Sequence, residues 1–252
     1  MGFIGVTITD LSPNVYEDAH KSIQSFLNHN DVPVVVYIIG DNNLHINDDR
    51  ITVIKLPIID YNLTSKVQCS YFINIMNILV EKMLCLTRHD NFIFFENDVF
   101  FFDTFEDTWN NLEDGIHGHP CTYGKLDRVK TCFLNTGLLF VKNYKFAYTL
   151  NDIECFFDCK SSYWPDEEFL ADVVEQNDVH YLSPLVNVVH DIRMNLYYPG
   201  CISNTKSIHM TGSHGMSGCR HEVKKYLNPA LNNNVYNRRM TPIYRKLYRL
   251  FK

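Results

Sequence analysis

Several features are missing from this sequence, and each absence removes a class of function. No stretch reaches the roughly 18 uninterrupted apolar residues of a membrane-spanning helix. No basic segment followed by a long apolar one opens the chain, so a secretory leader is not expected. The eight cysteines include no CxxC pair, and Cys155 and Cys159 stand only at helical i,i+4 spacing. Reduced, partly buried thiols in the cytoplasm are therefore expected, rather than a zinc site or a disulfide framework. Without a secretory route the Asn62-Leu63-Thr64 sequon carries little weight. Positive charge is not in excess: the net charge is −6, which removes any general electrostatic case for nucleic acid. There is no internal repeat, low-complexity tract or linker, so the 252 residues read as one domain.

What is present is apolar and aromatic. Hydrophobic residues make up 46% of the chain and aromatics 13%, with 17 Phe and 15 Tyr, enough for a well-packed core. Phe3 to Ile8, Val34 to Ile39 and Ile51 to Leu56 read as strands, stopped by Asp10-Leu11-Ser12-Pro13, Gly40-Asp41 and Pro57. Helices are expected over Val15 to Leu27 and Tyr71 to Leu86. Such alternation predicts an α/β domain with a mostly parallel central sheet covered by helices on both faces. Cys132 to Val141 reads as a further strand, interrupted by Asn135-Thr136-Gly137. Asp152 to Phe157 is expected to be helical. Trp164-Pro165-Asp166-Glu167-Glu168 reads as a helix start, with proline in the first turn and acids complementing the macrodipole. Val179 to Leu182 and Val186 to Val189 read as short strands, and Ser207 to Gly218 as a loop.

The segment Asn91 to Phe105, NFIFFENDVFFFDTF, concentrates the chemistry. A short apolar run bounded by polar residues is a buried strand, and this one ends in Glu96-Asn97-Asp98. Carboxylates are costly to bury unless paired, hydrogen-bonded or bound to a cation. A turn at Asn97 would make the two acids converge as hard oxygen ligands for Mn²⁺ or Mg²⁺. The plainer alternative is an Asx-type turn closing a strand. His209 adds an imidazole, a good Mn²⁺ ligand, just ahead of glycines at 212, 215 and 218, where backbone N–H groups can approach a phosphate. His214, Arg220 and Lys224 lie nearby as cations. Asn135 offers a donor and acceptors suited to a sugar hydroxyl, beside a glycine that marks a bulge or a close ligand approach.

Taken in order, VTITD with Tyr16, FFEND, FLNTG, WPDEE and IHMTG resemble the motifs of the glycogenin-like GT-A glycosyltransferases, which include lipopolysaccharide galactosyltransferases. The resemblance spans about Phe3 to Gly218. It implies a single GT-A, Rossmann-like domain over residues 1–235. It also implies transfer of a sugar from a nucleotide-sugar donor, UDP-linked, with Mn²⁺ as the metal and retention of configuration. By the same resemblance Glu96, Asp98 and His209 ligate the metal, and Asn97 lies near the donor ribose or sugar. Thr7, Thr9, Asp10 and Tyr16 hold the base, Lys82 sits near the donor, and Gly212 and His214 belong to the phosphate loop. Asn135, Asp166 and Glu167 contact the transferred sugar. The chain departs from the family in having Glu96 for Asp, Glu167 for Gln, and no Lys-Pro-Trp after the His209 loop.

Tyr236 to Lys252 is basic and has no acid. Ile243, Leu247 and Leu250 or Phe251 recur at helical spacing with Arg245, Lys246 and Arg249 between them, which predicts a basic amphipathic helix. It either lies on an anionic membrane surface or packs on the domain with a solvated basic face. The acceptor implied is a glycan or glycolipid. The rival from another class is a catalytically inactive carbohydrate- or nucleotide-binding protein. A nucleotidyltransferase is disfavoured, because TITDLSPN is neither glycine-rich nor basic.

Overall fold

Strand β4 (Asn91–Phe95) runs through the middle of the protein, and its sequence explains why. Phe92 and Phe94 enter one hydrophobic cluster and Ile93 and Phe95 the other, so the run is apolar without alternation, as expected of a strand covered on both faces. The computed structural model describes residues 2–61, 73–121, 133–159, 165–183, 185–189, 204–210, 218–228 and 235–252. The remaining elements are β1 (Ile4–Thr9), α1 (Tyr16–His29), β2 (Val34–Ile39), β3 (Ile51–Leu56), α2 (Ile75–Thr87), β5 (Val99–Phe101), α3 (Glu106–Asn110), β6 (Gly115–Cys121), β7 (Phe133–Lys142), α4 (Leu150–Cys159), α5 (Pro165–Val173), β8 (Val179–Tyr181), β9 (Asn187–Val189), β10 (Ser207–His209), α6 (Gly218–Leu227) and α7 (Val235–Leu250).

Seven strands form the main sheet in the order β3-β2-β1-β4-β7-β6-β8. β3, β2, β1 and β4 are parallel, β7 is antiparallel to both β4 and β6, and β8 is parallel to β6. The expected mostly parallel α/β sheet is therefore observed, with β7 the reversed strand. One face is closed by Ile78, Val80 and Met83 of α2, Ile153 and Phe157 of α4, and Phe169 and Leu170 of α5. The other is closed by Ala19, Ile23 and Phe26 of α1 together with Phe101, Phe105 and Trp109. The chain builds outward from β1 to β3 and then returns to β4 on the other side of β1. Crevices in such sheets open at the carboxyl ends of strands where the order reverses, which here is the β1–β4 boundary.

A second sheet, β5-β10-β9, corrects one expectation. Ser207 to His209, expected to begin a loop, forms β10, antiparallel to β5 and parallel to β9. Its three residues are fully enclosed, and so short a strand has no periodicity to read. β5, α3, β6 and α6 were likewise not anticipated. The expected interruption of β7 at Asn135-Thr136-Gly137 appears as a register shift: opposite the Gly118–His119 step, pairing jumps from Leu139 to Asn135.

The third cluster joins this small sheet to the C-terminal helix. Phe100, Val188 and Ile208 pack with Met240, Ile243, Tyr244, Leu247 and Phe251. The apolar stripe of the basic segment from 236 to 252 is therefore turned onto the domain, while Arg245 and Arg249 are exposed. No helix among the described residues is long and apolar enough to cross a membrane.

Candidate metal centre at the carboxyl end of the central strand

β4 ends in a tight turn. The Val99 amide donates to the Glu96 carbonyl at 3.2 Å, and the Glu96 amide donates to the Gly137 carbonyl of β7 at 2.9 Å. Helix α1 braces this turn from one side, where Ser22 Oγ donates to the carbonyls of Val99 at 2.6 Å and Glu96 at 3.1 Å. β10 closes the other side: His209 lies opposite Val99 in register, and the Met210 amide donates to the Asp98 carbonyl at 3.0 Å. The turn makes the two acids converge, and the small sheet delivers the histidine to them.

Glu96, Asp98 and His209 each present a ligand atom, all within 4.8 Å of one another. His209 Nε2 is 3.2 Å from Asp98 Oδ1 and 3.5 Å from Glu96 Oε2. Asp98 and His209 are buried, whereas the Glu96 side chain is 35% exposed, leaving one open side. Burial disfavours a charged His209, but Asp98 and Glu96 outweigh it and raise its pKa to about 9. Burial would raise Glu96, yet Lys82 and His209 hold it down to about 2.

A second cluster adjoins the first. Lys82 of α2 is 1% exposed, and its ammonium donates to Glu96 Oε1 at 2.5 Å, Asp166 Oδ2 at 2.6 Å and Thr136 Oγ1 at 2.9 Å. An ammonium has three N–H groups, so protein oxygens occupy all of them. Burial opposes its charge, but Asp166 and Glu96 more than compensate and raise its pKa. Thr136 Oγ1 also donates to Asp166 Oδ2 at 2.7 Å, where Asp166 and Glu167 stand in the first turn of α5. Asn135 links the clusters, with Oδ1 2.7 Å from His209 Nδ1 and Nδ2 donating to Glu167 Oε1 at 3.0 Å.

The donor set fits a divalent cation of the Mn²⁺ or Mg²⁺ type. Among the described residues Glu96, Asp98, Asp166 and Glu167 bring four carboxylates into one site with Lys82 and His209, and buried carboxylates are costly unless paired, hydrogen-bonded or bound to a cation. The two carboxylates of the triad, and its imidazole once it has given up a proton, are ligands Mn²⁺ accepts. Asn97, between the acids, is 3% exposed, and its Oδ1 accepts no hydrogen bond from any described residue.

Eight of the expected site residues thus gather here: Lys82, Glu96, Asn97, Asp98, Asn135, Asp166, Glu167 and His209. The residues expected at the base lie at the end of β1, with their polar atoms differently engaged. Asp10 Oδ1 accepts the Ser12 amide at 2.9 Å, and Oδ2 accepts the amides of Ile73 and Asn74 at 3.1 and 3.3 Å. Thr9 Oγ1 accepts the Leu11 amide at 3.0 Å. Thr7 is buried, and its hydroxyl has no partner among the described residues. Tyr16 opens α1 and stacks on His20 with ring centroids 6.0 Å apart. Gly212 and His214 lie outside the described residues. Arg220, considered as a phosphate partner, pairs with Glu17 at 3.3 Å.

Sequence reasoning missed the roles of Thr136 and Gly137. A Cβ on Gly137 would lie 2.0 Å from His209 Cε1, so the close approach that the glycine permits is that of the histidine ring. The signal for both was the polar break within an apolar strand.

Solved structures share this fold. The chain is similar to the galactosyltransferase LgtC in complex with donor and acceptor sugar analogues, with a TM-score of 0.53 at 12% identity, covering 95% of each chain. It is similar to WbbM, a bifunctional glycosyltransferase, with a TM-score of 0.57 at 13% identity, over 84% of this chain and 46% of that one. GlyE, a glycosyltransferase of Streptococcus pneumoniae TIGR4, gives a TM-score of 0.52 at 11% identity, over 82% of this chain and 54% of its own. No family model and no curated protein matches the sequence. The fold is that of the GT-A glycosyltransferases, so the resemblance read from the motifs holds at the level of fold.

Proposed function

We propose that this protein is a metal-dependent glycosyltransferase that moves a sugar from a UDP-sugar to a hydroxyl of a glycan or glycolipid, with retention of configuration. The observation that carries the reading is the Glu96–Asp98–His209 cluster, set at the carboxyl end of the strand where a GT-A sheet reverses its order. A divalent cation held there would supply Lewis-acid neutralisation of the leaving diphosphate. The chain's own residues do the rest. Asn97 presents an amide beside the donor. Asp166 and Glu167 face the sugar from the first turn of α5, and Thr9, Asp10 and Tyr16 line the base side of the crevice. Nothing in the cluster is arranged as an activated nucleophile, which suits a reaction driven by positioning and leaving-group stabilisation.

A panel of nucleotide sugars, each assayed for hydrolysis and transfer with and without Mn²⁺, tests the proposal. Mn²⁺-dependent turnover of a UDP-sugar is expected. If no nucleotide sugar is turned over and Mn²⁺ with UDP produces no thermal shift, the inactive binding-protein reading takes its place.

The exposed basic side of α7 supports a peripheral contact with anionic lipid. Deleting 236–252 would strip cover from Phe100 and Ile208, so charge reversal is the cleaner test. Arg245→Glu with Arg249→Glu should weaken sedimentation with anionic vesicles and leave UDP binding unchanged. Vesicle binding equal to wild type would remove the membrane contact from the proposal.

A further inference from the structure

The hydrogen-bond chain from Glu167 through Asn135 to His209 points to a role that contact with a sugar does not explain. A carboxylate only accepts hydrogen bonds, so Glu167 Oε1, 3.0 Å from Asn135 Nδ2, fixes which way the amide is turned. Oδ1 of Asn135 must then face His209 Nδ1, 2.7 Å away, and as an acceptor it requires a proton on Nδ1. That makes Nε2, the nitrogen nearest Asp98 and Glu96, the one that would give up its proton and offer a lone pair when a cation binds. The ring lies against the bare backbone of Gly137, in the space that a methyl group there would fill. Asn135 and Gly137 belong to the same strand, at the point where its register with β6 shifts. The irregularity of β7 thus places an acceptor at the edge of the imidazole and a bare backbone against it.

We infer that Asn135 is a positioning residue for the metal centre, holding His209 in the Nδ1–H tautomer, and that Glu167 sets the orientation of the Asn135 amide. The inference rests on the metal-dependent reading above and assigns these two residues a task in that reading other than touching sugar. Partners that orient a ligating histidine fix its tautomer and ring orientation, and losing one typically weakens metal binding about 10–100-fold.

The test is the affinity of the full chain for Mn²⁺ with UDP present, followed by electron paramagnetic resonance of free Mn²⁺, beside the melting temperature without metal. Asn135→Ala should bind Mn²⁺ about 10–100-fold more weakly. Glu167→Ala should show a smaller loss in the same direction, and Glu167→Gln, whose carbonyl still accepts from Asn135, should recover most of it. A purely structural role would lower the melting temperature of Asn135→Ala and leave its Mn²⁺ affinity at the wild-type value, and that outcome overturns the inference. Should Asn135→Ala fail to fold, Glu167→Ala decides: weaker Mn²⁺ binding upholds the inference and wild-type binding overturns it. A wild-type protein that takes up no Mn²⁺ is a different result, and it sinks the metal-dependent reading on which the inference stands.

Discussion

Two carboxylate sites stand at the same rim, at the ends of neighbouring parallel strands, and they are used in opposite ways. At the end of β1, Asp10 accepts three backbone amides, which closes the Ser12 turn and ties down the entry to α2. At the end of β4, Glu96 and Asp98 turn toward each other and toward His209. Lys82 answers the charge of Glu96 but is shared with Asp166. A carboxylate saturated by amides is complete without a ligand. Carboxylates that converge beside a lysine and a histidine form a site that a divalent cation would complete. The difference separates an acid tied into the backbone from a pair whose geometry suits a metal, although both sit where ligands of this fold class bind.

The contrast can be broken by substitution. Asp98→Asn should abolish the Mn²⁺-dependent turnover, a loss of several kcal/mol in transition-state stabilisation and on the order of a thousandfold in rate. Lys82→Met should leave Asp166 and Glu96 facing each other without their shared cation. Removing one partner of a buried ion pair costs about 3 kcal/mol or more, readable by urea denaturation. Asp10→Ala should cost about 1–3 kcal/mol by orphaning buried amides, while its Mn²⁺ affinity stays at the wild-type value. Equal losses of Mn²⁺ affinity in Asp10→Ala and Asp98→Asn would erase the distinction between the two sites.

The smallest effect is in pH. Burial holds His119 down to about 4, partly offset by the Pro120 carbonyl. The unfolded chain therefore binds a proton at His119 that the folded chain refuses, between its ordinary pKa near 6.5 and about 4. Stability then rises with pH across that window. The metal-free protein should lose about 1 kcal/mol from this group by pH 5.5, and His119→Gln should flatten the slope of its melting temperature against pH.

The long elements of this fold were legible because their residues repeat. β2 and β3 have the bounds expected, and α1, α2 and β4 differ from expectation only near their ends. β10 and β5 were not legible. Three buried residues carry no period, and their strand character comes from partners distant in sequence. In the site, the ligand types and the turn at Asn97 followed from the cost of burying Glu96 and Asp98. The partners did not. That Asn135 would serve His209, or that Lys82 would bind three protein oxygens, depends on how β7, α2 and α5 meet, which no local pattern encodes.

The central claim is that Glu96, Asp98 and His209 together hold one divalent cation. Titrating Mn²⁺ into the wild-type chain and into Asp98→Asn, both with UDP and followed by electron paramagnetic resonance, tests it most directly. Stoichiometric, saturable Mn²⁺ binding in the wild type that disappears in Asp98→Asn is the predicted result. Mn²⁺ binding of equal strength in the two proteins, or none in either, would contradict it.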